Sequence, residues 1–233
     1  MLASLLALGF LLGLKHALDV DHVAAVASLA TRTTGVRETV RVAGAWGLGH
    51  AAALVAFGAA LVIVGVAIPP AVADLLEGAV GIMLMLLGAD VLRRVRHKRV
   101  HAHPHVHDGV THIHVHIHDD NDRHDDARVG HAHAHARSLI GRALLVGGVH
   151  GLSGTAALIL LAIPAVHSAQ RAVIYLLVFG GGTILGMMLF SLLISVPLAS
   201  SVRRLRWGAY TVDGLVGVAN LALGAWIAYA SLS

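Results

Sequence analysis

Apolar residues fill most of the chain in long stretches of about 20 residues or more, and short polar segments separate them. A helix of that length crosses a hydrocarbon core about 30 Å thick. We expect the first stretch to be kept as a spanning helix, because it runs well beyond the apolar core of a signal peptide. The pattern predicts six membrane-spanning helices, near residues 3–30, 42–67, 71–92, 139–163, 172–199 and 208–231.

The composition supports an all-α, polytopic membrane protein. Hydrophobic residues make up 57% of the 233 positions and charged residues 13%, whereas an average soluble domain has about 25% charged residues. The chain contains no cysteine, which excludes disulfides, iron–sulfur clusters and thiolate metal sites. Any bound metal must therefore be held by nitrogen and oxygen. The net charge of +4 comes with no soluble basic domain, so we expect a lipid partner and no nucleic acid.

The positive charges indicate the orientation in the membrane. They concentrate after the first, third and fifth predicted helices, whereas the opposite side carries little beyond Arg171. The positive-inside rule then predicts a multi-pass protein of the plasma (inner) membrane, with both termini outside and the long central loop in the cytoplasm. The arginines that support this orientation are Arg32, Arg37, Arg41, those within 93–99 and 123–142, and Arg203, Arg204 and Arg206.

The two halves of the chain resemble each other. Residues 77–89 match residues 213–225 with three glycines in register, and W46-G-L-G-H50 matches F179-G-G-G-T183. The first and fourth helices align with His16 opposite His150. The alternative is chance similarity, because small residues are common wherever membrane helices pack closely.

An odd number of helices in each half requires that the second half be inserted upside down. The sequence therefore predicts two inverted three-helix repeats, residues 1–92 and 139–233, joined by a disordered cytoplasmic loop at 93–138. Inverted repeats are typical of secondary transporters, which bind their substrate near the midplane between the halves.

A polar cluster interrupts the first apolar stretch, where His16 and His22 flank Asp19 and Asp21. Charged side chains at the centre of a membrane helix cost about 2.5–3.5 kcal/mol each on insertion scales, so they indicate a functional site. On an ideal helix, His16, Asp19 and His22 share one face within about 120°, while Asp21 lies about 140° from His16. Asp21 then binds the same ion only if the helix is distorted, and otherwise orients an imidazole.

His50 and His150 are further candidate metal ligands at membrane depth. The alternative for each is a buried neutral histidine that hydrogen-bonds to a backbone carbonyl. Imidazole and carboxylate without sulfur suit Ni²⁺, Co²⁺, Zn²⁺, Mn²⁺ or Fe²⁺ rather than Cu⁺.

Residues 97–135 hold thirteen of the eighteen histidines. A flexible tract of this composition is expected to bind several divalent ions weakly, as a buffer, and to release them when it is protonated near about pH 6. The alternative is a low-complexity linker without a metal role. The candidate buffering residues are His101, His103, His105, His107, His112, His114, His116, His118, His131, His133 and His135.

The segment K15-H-A-L-D-V-D-H-V23 resembles the signature of the nickel/cobalt transporter superfamily, a basic residue followed by H-A-x-D-x-D-H with the core H-x4-D-H. That core falls on His16, Asp21 and His22. Residues 149–157 resemble the second motif of the short, six-helix, urease-accessory-like branch, and the histidine loop is similar to that of the nickel/cobalt efflux branch. The resemblance implies a permease with Ni²⁺ or Co²⁺ as substrate and Asp21 as a ligand, without enzymatic activity or a prosthetic group. The better-known uptake permeases have eight helices, so the direction of transport is left open.

Other functions compete with this one. A Zn²⁺ or Mn²⁺ permease is the nearest, and a membrane metal sensor or a urease or hydrogenase maturation partner would bind metal without moving it. A di-iron membrane oxygenase needs more converging ligands than the four histidines of the membrane portion. The chain has no G-x-x-x-x-G-K-[ST] motif, so a partner that supplies ATPase subunits is an alternative to a self-sufficient permease.

Overall fold

The computed structural model describes residues 2–33, 35–97, 100–107, 110–117, 132–153, 168–202 and 206–233. Within these ranges the chain forms seven helices and one two-stranded hairpin. In chain order the elements are α1 (Leu2–His16), α2 (Val20–Ala30), α3 (Val36–Val64), α4 (Pro70–His97), β1 (Val100–His107), β2 (Val110–Ile117), α5 (Ala132–Ser153), α6 (Ala169–Val202) and α7 (Arg206–Ala230).

The protein is a multi-pass membrane protein. Among the described residues, four helical segments are long and apolar enough to cross a membrane, and the bent pair of α1 and α2 is apolar enough to count as a fifth if the two form one span. In the predicted fourth helix the apolar part that the structure describes is Leu139–Ser153, and residues 154–163 lie outside the described residues. The six-span arrangement therefore stays a prediction. The four long spans are Val36–Val64, Pro70–Arg96, Ala169–Ser195 and Tyr210–Ala230.

The predicted first span is not one continuous helix, which corrects the prediction for residues 3–30. The backbone N–H groups of Leu18 and Asp19 bond three residues back, to Lys15 and His16, which tightens and ends α1. Asp19 is extended (φ −62°, ψ 147°) and caps the start of α2. As a result, α1 and α2 meet at an angle of 56°.

The hairpin and the helix ends change the predicted limits of the central loop. Strands β1 and β2 are antiparallel, with Val100 opposite Ile117 and His107 opposite Val110. This pairing lies inside the segment for which the sequence predicted disorder. Helix α4 also continues to His97, and α5 already begins at Ala132, so both helices extend into the predicted loop. Basic residues can continue a helix beyond its apolar part because their long side chains extend into the headgroup region.

A charged network fixes the far end of α2 against α4. Asp90 accepts hydrogen bonds from Arg32 and, at 3.0 Å, from Arg94 one turn further along α4. Arg94 also donates to the hydroxyl and the carbonyl oxygen of Thr31, at 3.1 and 3.3 Å. Because Thr31 and Arg32 directly follow α2, this network holds the second half of the bent span in place.

The helices pack in pairs that run in defined directions. Helix α1 lies parallel to α6, α3 lies parallel to α5, and α6 runs antiparallel to α3. Helices α4 and α7 are antiparallel, with Gly81 against Gly224 and Gly88 against Gly217. Glycine at such crossings lets the two backbones approach more closely than any side chain permits.

The closest approach is between α3 and α5. A Cβ atom built at Gly147 would overlap the carbonyl oxygen of Trp46, and one at Gly151 would overlap that of His50. A Cβ at Gly49 would overlap the carbonyl oxygen of Leu144. This contact holds the helices that carry His50 and His150 at a fixed, short separation.

We expect Gly147→Ala to weaken the fold, because the added methyl group meets backbone atoms that can only respond by a helix shift. Overpacking of this kind typically costs about 1–3 kcal/mol. The matched control is Gly148→Ala, where a Cβ meets nothing within 4 Å. Thermal unfolding of the purified proteins in detergent measures both changes. Equal midpoints for the two variants would contradict the close contact.

Candidate metal centre

Four histidines and one aspartate meet inside the helical bundle. His16 ends α1, Asp21 and His22 lie in the first turn of α2, and His50 and His150 come from α3 and α5. The ring centroid of His22 is 4.4 Å from that of His16, 4.9 Å from that of His50 and 4.2 Å from that of His150. His22, His50 and His150 are each at most 1% exposed. His22 is therefore the centre of the cluster.

The five side chains form two overlapping groups with the spacing of metal ligands. One group is His16, His22 and His50, and the other is Asp21, His22 and His150. In each group the candidate ligand atoms all lie within 4.8 Å of one another. Histidine nitrogens with a carboxylate oxygen are a common ligand set for first-row divalent metals.

Carboxylates fix the orientation of three of the rings. Asp21 Oδ1 accepts a hydrogen bond from His22 Nδ1 at 3.0 Å, and Asp21 Oδ2 accepts one from His150 Nε2 at 2.8 Å. Asp19 Oδ2 accepts one from His16 Nδ1 at 2.7 Å. An ionised carboxylate only accepts, so the ring nitrogens that face it carry the protons. A carboxylate that binds one ring nitrogen in this way prepares the other nitrogen to ligate a metal.

The remaining ring nitrogens are buried and unsatisfied. Within the part of the chain that the structure describes, no hydrogen bond reaches Nε2 of His16 or His22, either ring nitrogen of His50, or Nδ1 of His150. Buried polar atoms are normally paired, and an exception calls for an explanation. A cation bound among these nitrogens would satisfy several of them together.

The break after α1 decides which aspartate enters the cluster. Asp21 lies at the amino end of α2, where the helix dipole favours a carboxylate, and it contacts two of the rings. The side chain of Asp19 is 51% exposed and, among the described residues, is hydrogen-bonded to His16 alone. The ideal-helix projection, which grouped Asp19 with the histidines and excluded Asp21, is wrong because the helix does not continue through residues 17–19. The distortion inferred from the motif is present.

The structure places the two distant histidines in the cluster. His150 binds Asp21 through Nε2 rather than a carbonyl oxygen, and within the described ranges neither nitrogen of His50 has a hydrogen-bond partner. Their rings lie 5.6 Å apart. The structure brings both rings to the cluster, and their role as metal ligands stays a prediction.

Two aromatic walls of the cluster were not found from the sequence. Trp46 lies 5.5 Å from the rings of both His22 and His150, and Phe179 lies 5.5 Å from that of His16. Trp46 precedes His50 by four residues, a spacing that puts both on one helix face. That signal was available in W46-G-L-G-H50 but served only to define the repeat. Both aromatic rings therefore line the cluster with apolar surface.

The loop histidines cannot be related to this cluster. The side chains of residues 97–138 lie outside the described part of the chain. Metal buffering by the loop therefore stays a prediction.

No family model matches the chain, and no solved structure matches it. It is similar to the urease accessory protein UreH of Bacillus sp. (strain TB-90), with 32% identity over 205 residues. The alignment covers 88% of this chain and 82% of that protein. The chain belongs to the UreH family. This result confirms the prediction of a non-enzymatic protein.

The two aspartates of this UreH-family protein should differ in their effect on metal affinity. We expect Asp19→Asn to weaken Ni²⁺ binding by about tenfold, the lower end of the range for a residue that orients a ligand, and Asp21→Asn to weaken it by about 100-fold, the upper end, because Asp21 holds both His22 and His150. Ni²⁺ binding by the loop histidines must not contribute to the measured affinities. Both variants are therefore made in the full-length chain with all thirteen histidines of residues 97–135 replaced by glutamine, here called the loop-glutamine protein. Isothermal titration measures the affinities, and a larger loss for Asp19→Asn would contradict the geometry.

Proposed function

We propose that this UreH-family protein is a secondary permease that carries Ni²⁺ or Co²⁺ across the plasma membrane. The observation that carries the proposal is the meeting of four histidines and Asp21, from four helices, inside a membrane bundle. A sulfur-free set of imidazoles with a carboxylate suits these borderline ions. The name of the Bacillus relative connects it to urease, and we extend to this chain a role in the handling of nickel.

The packing supports two inverted repeats. If the halves are equivalent, a contact between the first helix of one half and the second helix of the other must occur twice. Gly13 of α1 lies against the carbonyl oxygen of Phe179 on α6, and Gly147 of α5 lies against that of Trp46 on α3. The repeat aligns Gly13 with Gly147 and Trp46 with Phe179, so these are the two copies of one contact.

The contacts of α4 and α7 obey the same rule. The repeat aligns Gly81 with Gly217 and Gly88 with Gly224. In the structure, Gly81 contacts Gly224 and Gly88 contacts Gly217. Replacing each glycine by its aligned partner turns one of these contacts into the other. Helix α1 is parallel to α6, α6 is antiparallel to α3, and α3 is parallel to α5. The first helices of the two halves therefore run in opposite directions, as inverted repeats require.

The cluster lies between the proposed halves. His16 and His150, which the repeat aligns, both contribute to it. We propose that the ion loses most of its water, binds among the imidazoles and is exposed to each side in turn as the halves rock. The broken span supplies the ligands near its break, which is typical of discontinuous helices at transporter substrate sites.

Flux in proteoliposomes tests the proposal. The loop-glutamine protein should move Ni²⁺ or Co²⁺ down a gradient in preference to Zn²⁺ and Mn²⁺, with both gradient directions assayed. His22→Ala should abolish flux because His22 belongs to both ligand groups. Gly148→Ala, a change in open space on α5, is the control that keeps it. Metal binding without flux would favour a sensor, and a preference for Zn²⁺ or Mn²⁺ would favour a different permease.

Labelling of single cysteines tests the proposed orientation, since the chain has none of its own. Cysteine introduced at Gly109 should resist a membrane-impermeant thiol reagent in intact cells, because the loop is proposed to be cytoplasmic. Cysteine at Ser233 should react. Permeabilised cells provide the control for reactivity, and the reverse pattern would invert the topology.

Metal transport should not depend on metal binding by the loop histidines. Compared with the unaltered chain, the loop-glutamine protein should lose most of its stoichiometric Ni²⁺ binding yet transport at a rate within about tenfold, a barrier change of about 1.4 kcal/mol. Substitution is preferable to deletion of residues 101–135 because α5 begins at Ala132. Equilibrium dialysis and flux measure the two properties. Loss of flux from a folded protein would make the loop part of the pathway.

A further inference from the structure

We propose that the cluster holds the transported ion at two alternative positions that overlap at His22, and that the ion passes between them by exchanging ligands around this one ring. The first position is formed by His16, His22 and His50, and the second by Asp21, His22 and His150. This inference rests on the proposed permease function and adds the path of the ion within the site.

Two sets of side chains define the two positions. Each set of three meets the ligand spacing by itself, and His22 is the member that the two sets share. The rings of His16 and His150 each lie within 4.4 Å of His22, at 4.4 and 4.2 Å. His22 thus lies beside ligands of both positions.

The first position needs no hydrogen bond to break. His16 and His22 use Nδ1 to donate to Asp19 and Asp21, which leaves the lone pair of each Nε2 available. These Nε2 atoms and both nitrogens of His50 are buried and have no hydrogen-bond partner among the described residues. An ion bound here therefore has three imidazole ligands, two of them already oriented by carboxylates.

The second position uses atoms that are now bonded to each other. Asp21 holds His22 Nδ1 and His150 Nε2 at 3.0 and 2.8 Å, so an ion can bind there only after these two hydrogen bonds break. The ring protons must then move, through a water molecule, to His22 Nε2 and His150 Nδ1. Each imidazole stays neutral and no proton is lost. Those two nitrogens have no hydrogen-bond partner among the described residues, so each can accept a proton.

The shared ring makes occupancy of the two positions exclusive. A neutral imidazole has one lone pair for a metal, on Nε2 in one tautomer and on Nδ1 in the other. When the ion leaves the first position it breaks its bonds to His16, His50 and Nε2 of His22, and forms bonds to Asp21, His150 and Nδ1 of His22. Adjacent sites between which ligands are exchanged let an ion bind and still leave, a general requirement of conduction.

The test compares His50→Ala and His150→Ala, singly and together, in the loop-glutamine protein with Ni²⁺ as the probe. The parent should bind one ion per chain. Each single variant keeps one position intact, so we expect its affinity to fall by no more than about tenfold, whereas the double variant should lose more than about 100-fold, a strongly non-additive result. Both single variants should lose flux.

X-ray absorption of the bound Ni²⁺ identifies the position that is left. His150→Ala should show three imidazole ligands, and His50→Ala should show two imidazoles with a carboxylate oxygen. Thermal unfolding checks that each variant is folded, and His50→Gln and His150→Gln replace any variant that is not. These conservative variants also lack the ligating ring.

Two results would overturn the inference. Two ions bound together in the parent would indicate independent sites, and equal large losses in both single variants would indicate one site. Either result, with flux retained in the parent, leaves the permease standing. If the variants show the predicted binding pattern but the parent shows no flux, the proposed permease function is wrong. The two alternative binding positions would then still stand.

Discussion

The break between α1 and α2 is the constraint on which the site depends. A continuous helix cannot direct His16, Asp21 and His22 into one place, because Asp21 would lie on a different face. Ending α1 at His16 and starting α2 at Val20, with a bend of 56°, lets Asp21 contact both His22 and His150. The exposed backbone of such a break is tolerated in a membrane protein where it lines a protein-enclosed cavity.

The second requirement is that separate helices come close enough to complete the site. Alanine in place of Gly147 or Gly151 would push α5 away from the backbone of Trp46 and His50. The same small residues therefore set both the packing and the distance between the His50 and His150 rings, 5.6 Å. Large apolar side chains such as Leu145, Leu193 and Trp226 remain more than half exposed on the outside of the bundle, as expected for surfaces that contact lipid.

The sequence predicted the features that depend on composition and on the free-energy cost of polar residues in an apolar segment. Long apolar stretches indicated the spans, and the expense of His and Asp in an apolar segment marked residues 16–22 as the site. Periodicity could not show that the helix breaks there, since the apolar pattern continues on both sides, and it consequently selected Asp19 instead of Asp21. The short N-terminal motif supplied that correction. The Trp46 wall was missed because an aromatic residue in an apolar helix looks like ordinary core.

Contacts between distant parts of the chain were the hardest to predict. His50 and His150 were recognisable as isolated polar residues at depth, but the sequence did not show that both rings approach His22. The repeat gave a partial guide, because it aligned His16 with His150. The repeat aligns His50 with Thr183, so the candidate site is not symmetric. Helices α1, α2 and α3 supply most of its candidate ligands.

The proposed resting place of the transported ion is beside His22, and anomalous scattering tests this position directly. A structure of the loop-glutamine protein loaded with Co²⁺, recorded at the cobalt absorption edge, should contain one anomalous peak per chain within bonding distance of a ring nitrogen of His22. A structure with cobalt bound elsewhere, and none beside His22, would contradict the account.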